Sequence, residues 1–156
     1  SVALEVAYSK MVRVDLDNFV SDKYVQFNST EVDEVLSRFI TGDYAPLRSI
    51  TTFAAFPYCG QAWNLFLLES YCRRFSGRFR LESPSYNSSN IGAIVRKRCR
   101  LSYDLILADA IAKSNTPLEK EAAIDFLYSS GYIGRRSYAK INELLNRAKS
   151  DMLPFG

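Results

Sequence analysis

Residues 61–97, QAWNLFLLESYCRRFSGRFRLESPSYNSSNIGAIVRK, contain the two patterns that decide the fold class. Residues 61–75 are apolar on nearly every side and carry only a narrow polar strip, which is typical of a helix buried in a core. Two extended segments follow at residues 78–83 and 92–97, and turn-forming residues lie between them. This order predicts a β-hairpin with a long tip at residues 84–90. A buried helix beside a hairpin indicates an α+β fold.

The chain before this stretch predicts one strand and one amphipathic helix. Residues 11–16 alternate apolar and polar side chains, as a half-buried strand does. Apolar residues recur at helical spacing over residues 29–41, where Ser29 or the threonine after it would cap the first turn and Gly42 would end the helix. For residues 47–56 the periodicity does not decide between a helix and a strand.

The last third of the chain predicts three helices. An apolar stripe from Tyr103 to Ile111 indicates the first helix. The second begins at TPLE, residues 116–119, where the threonine would be the cap, the proline the first helical residue and the glutamate the end of a capping box. That helix ends at Gly131. A third apolar stripe predicts a helix over residues 137–152.

Together these elements predict a helix-dominated α+β fold with a C-terminal three-helix lobe. The small β component is the N-terminal strand plus the hairpin near residues 78–97. The length of 156 residues suits a single domain over residues 1–156. Two lobes that share a core are the other arrangement: an α+β lobe with the hairpin at residues 1–100, and a helical lobe at residues 101–156.

The order of elements is similar to that of the winged helix-turn-helix fold, provided that residues 47–56 form its second helix. In that fold the third helix enters the major groove of DNA and the hairpin, or wing, touches the backbone. The narrow polar strip of the helix at residues 61–75 includes Glu69. The resemblance therefore implies contact with the backbone more than reading of bases.

Positive charge is concentrated in the middle of the chain. Residues 1–50 carry five Lys and Arg against eight Asp and Glu, residues 51–100 carry eight against two, and residues 101–156 carry seven against seven. A solvated surface balanced by the acidic first third would also explain this distribution. Arginine suits phosphate and carboxylate partners. The candidate nucleic-acid-binding residues are Arg73, Arg74, Arg78, Arg80, Arg96, Lys97, Arg98 and Arg100, with a second basic group at Arg135 and Arg136.

The chain has no histidine, which excludes Ser-His-Asp and Cys-His nucleophile systems and most zinc sites. Its three cysteines form no CxxC pair, and we expect them to be reduced and mostly buried. Glu69 is expected to pair with Arg73 four residues on, and its pKa would rise if the carboxyl is buried. No phosphate-binding glycine loop or nucleophile elbow is present. We therefore expect no metal, no cofactor and no enzymatic activity.

The function expected from these patterns is a non-catalytic nucleic-acid-binding or regulatory module, excised from a larger intracellular protein. Its partners would be DNA or another polyanion, other domains of the same protein, or a protein partner. No apolar run is long enough for a membrane span, so a cytoplasmic location without membrane contact is expected. The alternative is a protein-protein interaction or oligomerisation domain, because aromatic residues make up 13% of the chain.

Overall fold

The computed structural model describes residues 2–87 and 89–152. Over these residues the fold is α+β, as predicted, with six α-helices and two small antiparallel sheets. Ser88 of the predicted hairpin tip, and Ser1 and residues 153–156 of the predicted domain limits, lie outside the described residues. The elements are α1 (Val2–Lys10), β1 (Met11–Arg13), β2 (Phe19–Ser21), α2 (Ser29–Phe39), β3 (Tyr44–Pro46), α3 (Leu65–Arg74), β4 (Phe79–Glu82), β5 (Ala93–Arg96), α4 (Tyr103–Lys113), α5 (Lys120–Ser130) and α6 (Ile141–Met152).

Strand β5 is the centre of the fold. It pairs with β3 on one side and with β4 on the other, both antiparallel, which confirms the predicted hairpin. Ala93, Ile94 and Val95 are all fully buried, so both faces of the strand are covered. Ala93 and Val95 contact the apolar cluster of α4, α5 and α6, whereas Ile94 contacts the cluster that includes α2 and α3. Alternation along one strand thus gives each face its own core.

The second sheet consists of β1 and β2, and it joins the N-terminal helix to α3. Val12 of β1 pairs with Val20 of β2 and is fully buried against Leu67 of α3. Helix α1 was not expected from the sequence, because Val2 and Val6 are exposed and no apolar face marks it. The buried residue of this helix is Tyr8, whose ring contacts Phe19 of β2 edge to face.

Helix α2 is fixed to the turn between α3 and β4 by the buried carboxylate of Asp33. One oxygen accepts hydrogen bonds from the hydroxyls of Tyr71 (2.7 Å) and Ser76 (2.6 Å). The other accepts from the main-chain N–H groups of Gly77 (2.9 Å) and Arg78 (3.0 Å). Four donors satisfy this carboxylate without a cation, and they set where β4 begins.

The caps of two predicted helices lie at other residues. Asn28, rather than Ser29 or its neighbour, caps α2, since its side chain accepts from the N–H of Glu31 (3.1 Å) while Ser29 donates to the carbonyl of Phe75 (3.0 Å). Helix α5 begins at Lys120 rather than at residues 116–119, and Glu119 is its N-cap without a side-chain cap bond.

The predicted limits differ from the structure at three helices, and one predicted end agrees. Helix α3 begins at Leu65 rather than at residue 61. Helix α2 ends at Phe39, before the expected Gly42. Helix α6 begins at Ile141, so residues 137–140 precede it as a loop. Gly131 ends α5 as predicted, in a left-handed conformation with φ of 87°.

The segment at residues 47–56 forms neither of the two structures considered for it. Leu47–Ser49 is a single 3₁₀ turn, and residues 50–56 contain no helix or strand. The winged-helix-like order is therefore not confirmed, because the second of its three helices is missing from the described chain. No helix among the described residues is both long and apolar enough to cross a bilayer.

We predict that Asp33→Ala lowers the free energy of unfolding by about 2–5 kcal/mol. Ser76 and the N–H groups of Gly77 and Arg78 lose their acceptor, and Tyr71 keeps only its longer bond to the carbonyl of Ser29 (3.2 Å). Urea denaturation followed by circular dichroism measures the change. Glu34→Ala is the matched control: this neighbouring carboxylate is exposed and pairs with Arg78 at 2.9 Å. Its removal should cost less than about 1 kcal/mol. Equal effects of the two substitutions would contradict the role assigned to Asp33.

Candidate functional site

Two main-chain hydrogen bonds join three segments that are far apart in sequence. The N–H of Leu47 donates to the carbonyl of Gly92 (2.9 Å), and the N–H of Gly92 donates to the carbonyl of Gly131 (3.0 Å). We call these two bonds the relay. It holds together the 3₁₀ turn after β3, the residue before β5 and the end of α5, and it thereby fixes the loops that extend from them.

The relay requires glycine at two of its three residues. Gly92 has a φ of 125°, and a Cβ there would lie 2.3 Å from the carbonyl oxygen of Glu82. At Gly131 a Cβ would lie 2.9 Å from Cδ of Arg48, whose aliphatic stem crosses directly over the glycine. Because Gly131 has no side chain, the aliphatic stem of Arg48 packs directly on its backbone.

The neighbours of the relay residues line a concave cleft of about 600 Å³, which we name the Arg48 cleft. Arg48 and Arg135 contribute two exposed guanidinium groups, and neither makes a hydrogen bond or ion pair within the described part of the chain. No aspartate or glutamate is among the described residues of its walls. The walls consist of Arg48, Pro84, Ser85, Asn87, Ser89, Ile91, Tyr103, Ile133, Gly134, Arg135, Ser137, Tyr138 and Ala139.

Two smaller clefts continue from the Arg48 cleft along the surface. The Lys140 cleft, of about 490 Å³, shares the walls Pro84, Tyr103 and Tyr138 with it. The Arg100 cleft, of about 390 Å³, shares Glu82 and Ser102 with the Lys140 cleft. Because neighbouring clefts share wall residues, the three lie side by side as a line of clefts, with cationic residues in both outer clefts.

Two half-buried tyrosines separate the first two clefts. The hydroxyl of Tyr103 donates to the carbonyl of Tyr132 (2.6 Å), and the hydroxyl of Tyr138 donates to the carboxylate of Asp104. Their rings meet edge to face with centroids 6.4 Å apart. Burial raises the pKa of both tyrosines, with the bond to Asp104 adding to it at Tyr138, so they stay neutral at ordinary pH.

The carboxylates near the line of clefts are compensated by adjacent cations. Hydrogen bonds from Tyr138 and Lys140 hold the pKa of Asp104 below its usual range, and the ammonium group of Lys140 lies 3.0 Å from the carboxylate. Glu82 pairs with Arg80 at 3.1 Å. Neither acid therefore leaves an unbalanced negative charge in the line of clefts.

Two of the candidate arginines are half-buried and donate hydrogen bonds to main-chain carbonyls. Arg80 donates to the carbonyls of Cys99 (2.6 Å) and Leu101 (2.7 Å), which holds the loop between β5 and α4. Arg96 donates to the carbonyls of Gly42 (2.8 Å) and Ile40, and so satisfies the C-terminal end of α2. These guanidinium groups stabilise the fold.

Four further candidates are paired within the described protein. Arg73 pairs with Glu69 as expected, at 3.1 Å, and its guanidinium lies between two tyrosine rings. Arg74 pairs with Asp22 at 2.7 Å, and Arg78 with Glu34 at 2.9 Å. The ammonium group of Lys97 donates to the carbonyl of Ser76 at 2.7 Å. The excess charge of the middle third is therefore largely neutralised or held inward.

The remaining four candidates are exposed. Arg98 pairs with Asp43 at 3.3 Å, and Arg136 pairs with Asp125 while it stacks on the ring of Tyr128. Arg100 and Arg135 make no ion pair among the described residues. Arg100 lines the cleft named after it, together with Arg80 and Lys97, and Arg135 lines the Arg48 cleft. Arg100 and Arg135 are thus the unpaired candidates in the line of clefts.

Sequence reasoning missed the residue that contributes most to this site, Arg48. It lies in the acidic first third and inside the segment at residues 47–56, whose structure the periodicity did not decide. Tyr103 and Tyr138 were assigned to apolar helix faces, and only the tertiary structure brings them to a cleft. No pattern in the chain marks the three as neighbours.

Glu69 belongs to a separate buried network beneath the hairpin tip. Its side chain is fully buried, and it accepts hydrogen bonds from Arg73 and from the hydroxyl of Tyr8 (3.3 Å). Burial raises the pKa of Glu69 above its ordinary 4.5, and the nearby guanidinium of Arg73 opposes this rise only in part. Arg13, also buried, donates to the same Tyr8 hydroxyl at 2.8 Å.

The described residues contain no group of three or more metal-ligating side chains. The three cysteines are buried and free, as predicted. Comparison of the chain with protein-family models, with curated proteins and with solved structures finds no match in any of the three. Fold and site define the class of the molecule, an α+β protein with a line of cationic clefts.

We predict that the buried Glu69 makes stability fall as pH rises. The pKa of the Glu69 carboxyl is higher in the folded protein than in the unfolded chain. The contribution of this carboxyl to stability is therefore complete below about pH 4 and is lost as the pH passes the raised pKa. Chemical denaturation of wild type and Glu69→Gln between about pH 4 and pH 8 measures this. The difference in free energy of unfolding, wild type minus variant, should decrease with pH.

Glu34→Gln removes an exposed carboxyl and controls for loss of surface charge. Because groups other than Glu69 cancel in the difference, the slope with pH reports on this carboxyl even if the variant is less stable throughout. A difference for Glu69→Gln that is flat or increases with pH would contradict the assignment.

Proposed function

We propose that the protein is a non-catalytic module that binds single-stranded nucleic acid by its sugar-phosphate backbone along the line of clefts. The observation that carries the proposal is the Arg48 cleft, where two unpaired guanidinium groups face a concavity without a described carboxylate. Arg100 adds a third unpaired cation at the far end of the line. Cations spaced along a groove track a phosphate backbone.

The structure favours a single strand over base reading in a duplex. A recognition helix must present polar side chains to a major groove, yet every residue of α3 from Leu67 to Cys72 is buried, Glu69 and Ser70 included. Concave clefts with aromatic walls suit instead a flexible strand, whose bases can approach tyrosine rings. Tyr103 and Tyr138 line both the Arg48 cleft, which contains Arg135, and the Lys140 cleft.

The alternative, a protein-interaction or oligomerisation domain, stays a prediction from the sequence. Most of its support was the high aromatic content, and the core accounts for much of that. Phe27, Phe53, Phe56, Trp63 and Tyr71 form one buried or half-buried cluster with ring centroids 4.9–6.3 Å apart. These rings are needed for folding, so they are not offered to a partner.

We predict that the protein binds a fluorescein-labelled single strand more tightly than the matching duplex, and that binding weakens as salt rises. The triple variant Arg48→Ala/Arg100→Ala/Arg135→Ala should bind more weakly. Its plot of log affinity against log salt concentration should be shallower by about 2, since each phosphate contact on a single strand contributes about 0.7. Fluorescence anisotropy at several salt concentrations measures both quantities.

The matched control is Lys10→Ala/Lys120→Ala/Lys149→Ala, which removes three exposed cations outside the clefts. It should keep nearly the affinity and the salt slope of wild type. The six substituted side chains are exposed, so we expect both triple variants to fold with nearly the stability of wild type. Thermal denaturation checks this. Absence of binding at low salt, or equal loss in both triple variants, would overturn the proposal.

A further inference from the structure

The Arg48 cleft differs from the other exposed cationic places of the described chain in its charge balance. Four other exposed cations stand beside acids, in the pairs Arg78–Glu34, Arg98–Asp43, Arg136–Asp125 and Lys140–Asp104. In the Arg48 cleft two guanidinium groups share one concavity of about 600 Å³, and no carboxylate among its described walls balances them. The local charge is therefore close to +2.

A buried cation also contacts one wall of the Arg48 cleft. Arg13 is buried, and its Nη1 donates to the hydroxyl oxygen of Ser89 at 2.9 Å. Because Ser89 accepts from Arg13, its own O–H remains to donate, and Ser89 is one of the walls of the cleft. The cleft thus offers a hydroxyl donor oriented by a buried guanidinium, in addition to two arginine forks.

One of the two arginines is held in place before any ligand arrives. The stem of Arg48 lies on Gly131, with Cδ, Cγ and Cβ all within 3.4 Å of where a side chain would begin. Gly131 is itself fixed by the relay. A side chain supported along its stem loses less conformational freedom on binding, which strengthens binding.

We infer that the Arg48 cleft binds a phosphate monoester, the group found at a phosphorylated strand end and on a mononucleotide. A monoester carries about −1.5 to −2 near pH 7 and has three terminal oxygens, so it matches two arginine forks and a hydroxyl. A phosphodiester or a carboxylate carries only about −1 and would leave the second guanidinium unbalanced. The inference deepens the proposed function, and rests on it where the monoester is a strand end.

The test compares four ligands by isothermal titration calorimetry or competition anisotropy at fixed salt. They are adenosine 5′-monophosphate, a single strand with a terminal phosphate, the same strand with terminal hydroxyls, and that hydroxyl strand extended by one nucleotide. The extended strand controls for added charge, because it gains one phosphodiester. The terminal phosphate should raise affinity about tenfold, and the extra nucleotide far less.

Variants assign the effect to the cleft. Arg48→Ala and Arg135→Ala should each remove most of the tenfold gain, whereas Lys120→Ala should keep it. The gain should also shrink below about pH 6, where a monoester takes up its second proton. None of these arginines holds the core, so thermal stability should stay near that of wild type.

The outcomes separate this inference from the proposed function. If strands bind but the terminal phosphate adds no more than an extra nucleotide, the inference is wrong and the proposed function stands. If adenosine 5′-monophosphate binds in an Arg48-dependent manner and no strand binds, the inference holds for a free phosphorylated molecule and the proposed function is wrong. If none of the four ligands binds, both are wrong.

Discussion

The candidate site depends on two main-chain hydrogen bonds, from Leu47 to Gly92 and from Gly92 to Gly131. Both bonds join main-chain N–H and C=O groups, so their donors and acceptors do not depend on side-chain identity. A Cβ at either Gly92 or Gly131 would clash with a neighbouring atom. One bond positions Arg48 and the other positions the loop that carries Arg135. The site is therefore set by the backbone of three segments, while its charged side chains, Arg48 and Arg135, are exposed.

Much of the fold could be predicted because its elements are stabilised by local patterns. The apolar face of α2, the hairpin of β4 and β5 and the glycine end of α5 follow from spacing along the chain. Prediction failed where the local structure depends on a contact with a residue that is distant in sequence. Ser29 does not cap α2, because it donates to Phe75 forty-six residues away. In helix α1 the buried residue Tyr8 contacts Glu69 and Arg73. These partners are more than sixty residues away, so no local pattern predicts the contacts.

The site was less predictable than the fold, because charge counting ignores partners. Eight cationic side chains in residues 51–100 predict a surface that binds a polyanion. In the folded chain Arg80 and Arg96 donate to carbonyls of loops and helix ends, which no composition reveals. Arg135 and Arg100 are the candidates that stay unpaired among the described residues, and the third cation, Arg48, comes from the acidic third.

Arginine thus has two roles in this protein, and burial of the acceptor distinguishes them. A carbonyl at a helix end or in a buried loop must be satisfied, so a guanidinium near it is drawn inward and lost to ligands. The Arg48 cleft escapes this because the relay already satisfies the main-chain groups at its base. Two guanidiniums there have neither a carbonyl nor a described carboxylate to bind, so they remain accessible to an anion. An anion of charge near −2 would balance both charges, which is the physical reason why this cleft, rather than the arginine-rich hairpin, is the place to look for a ligand.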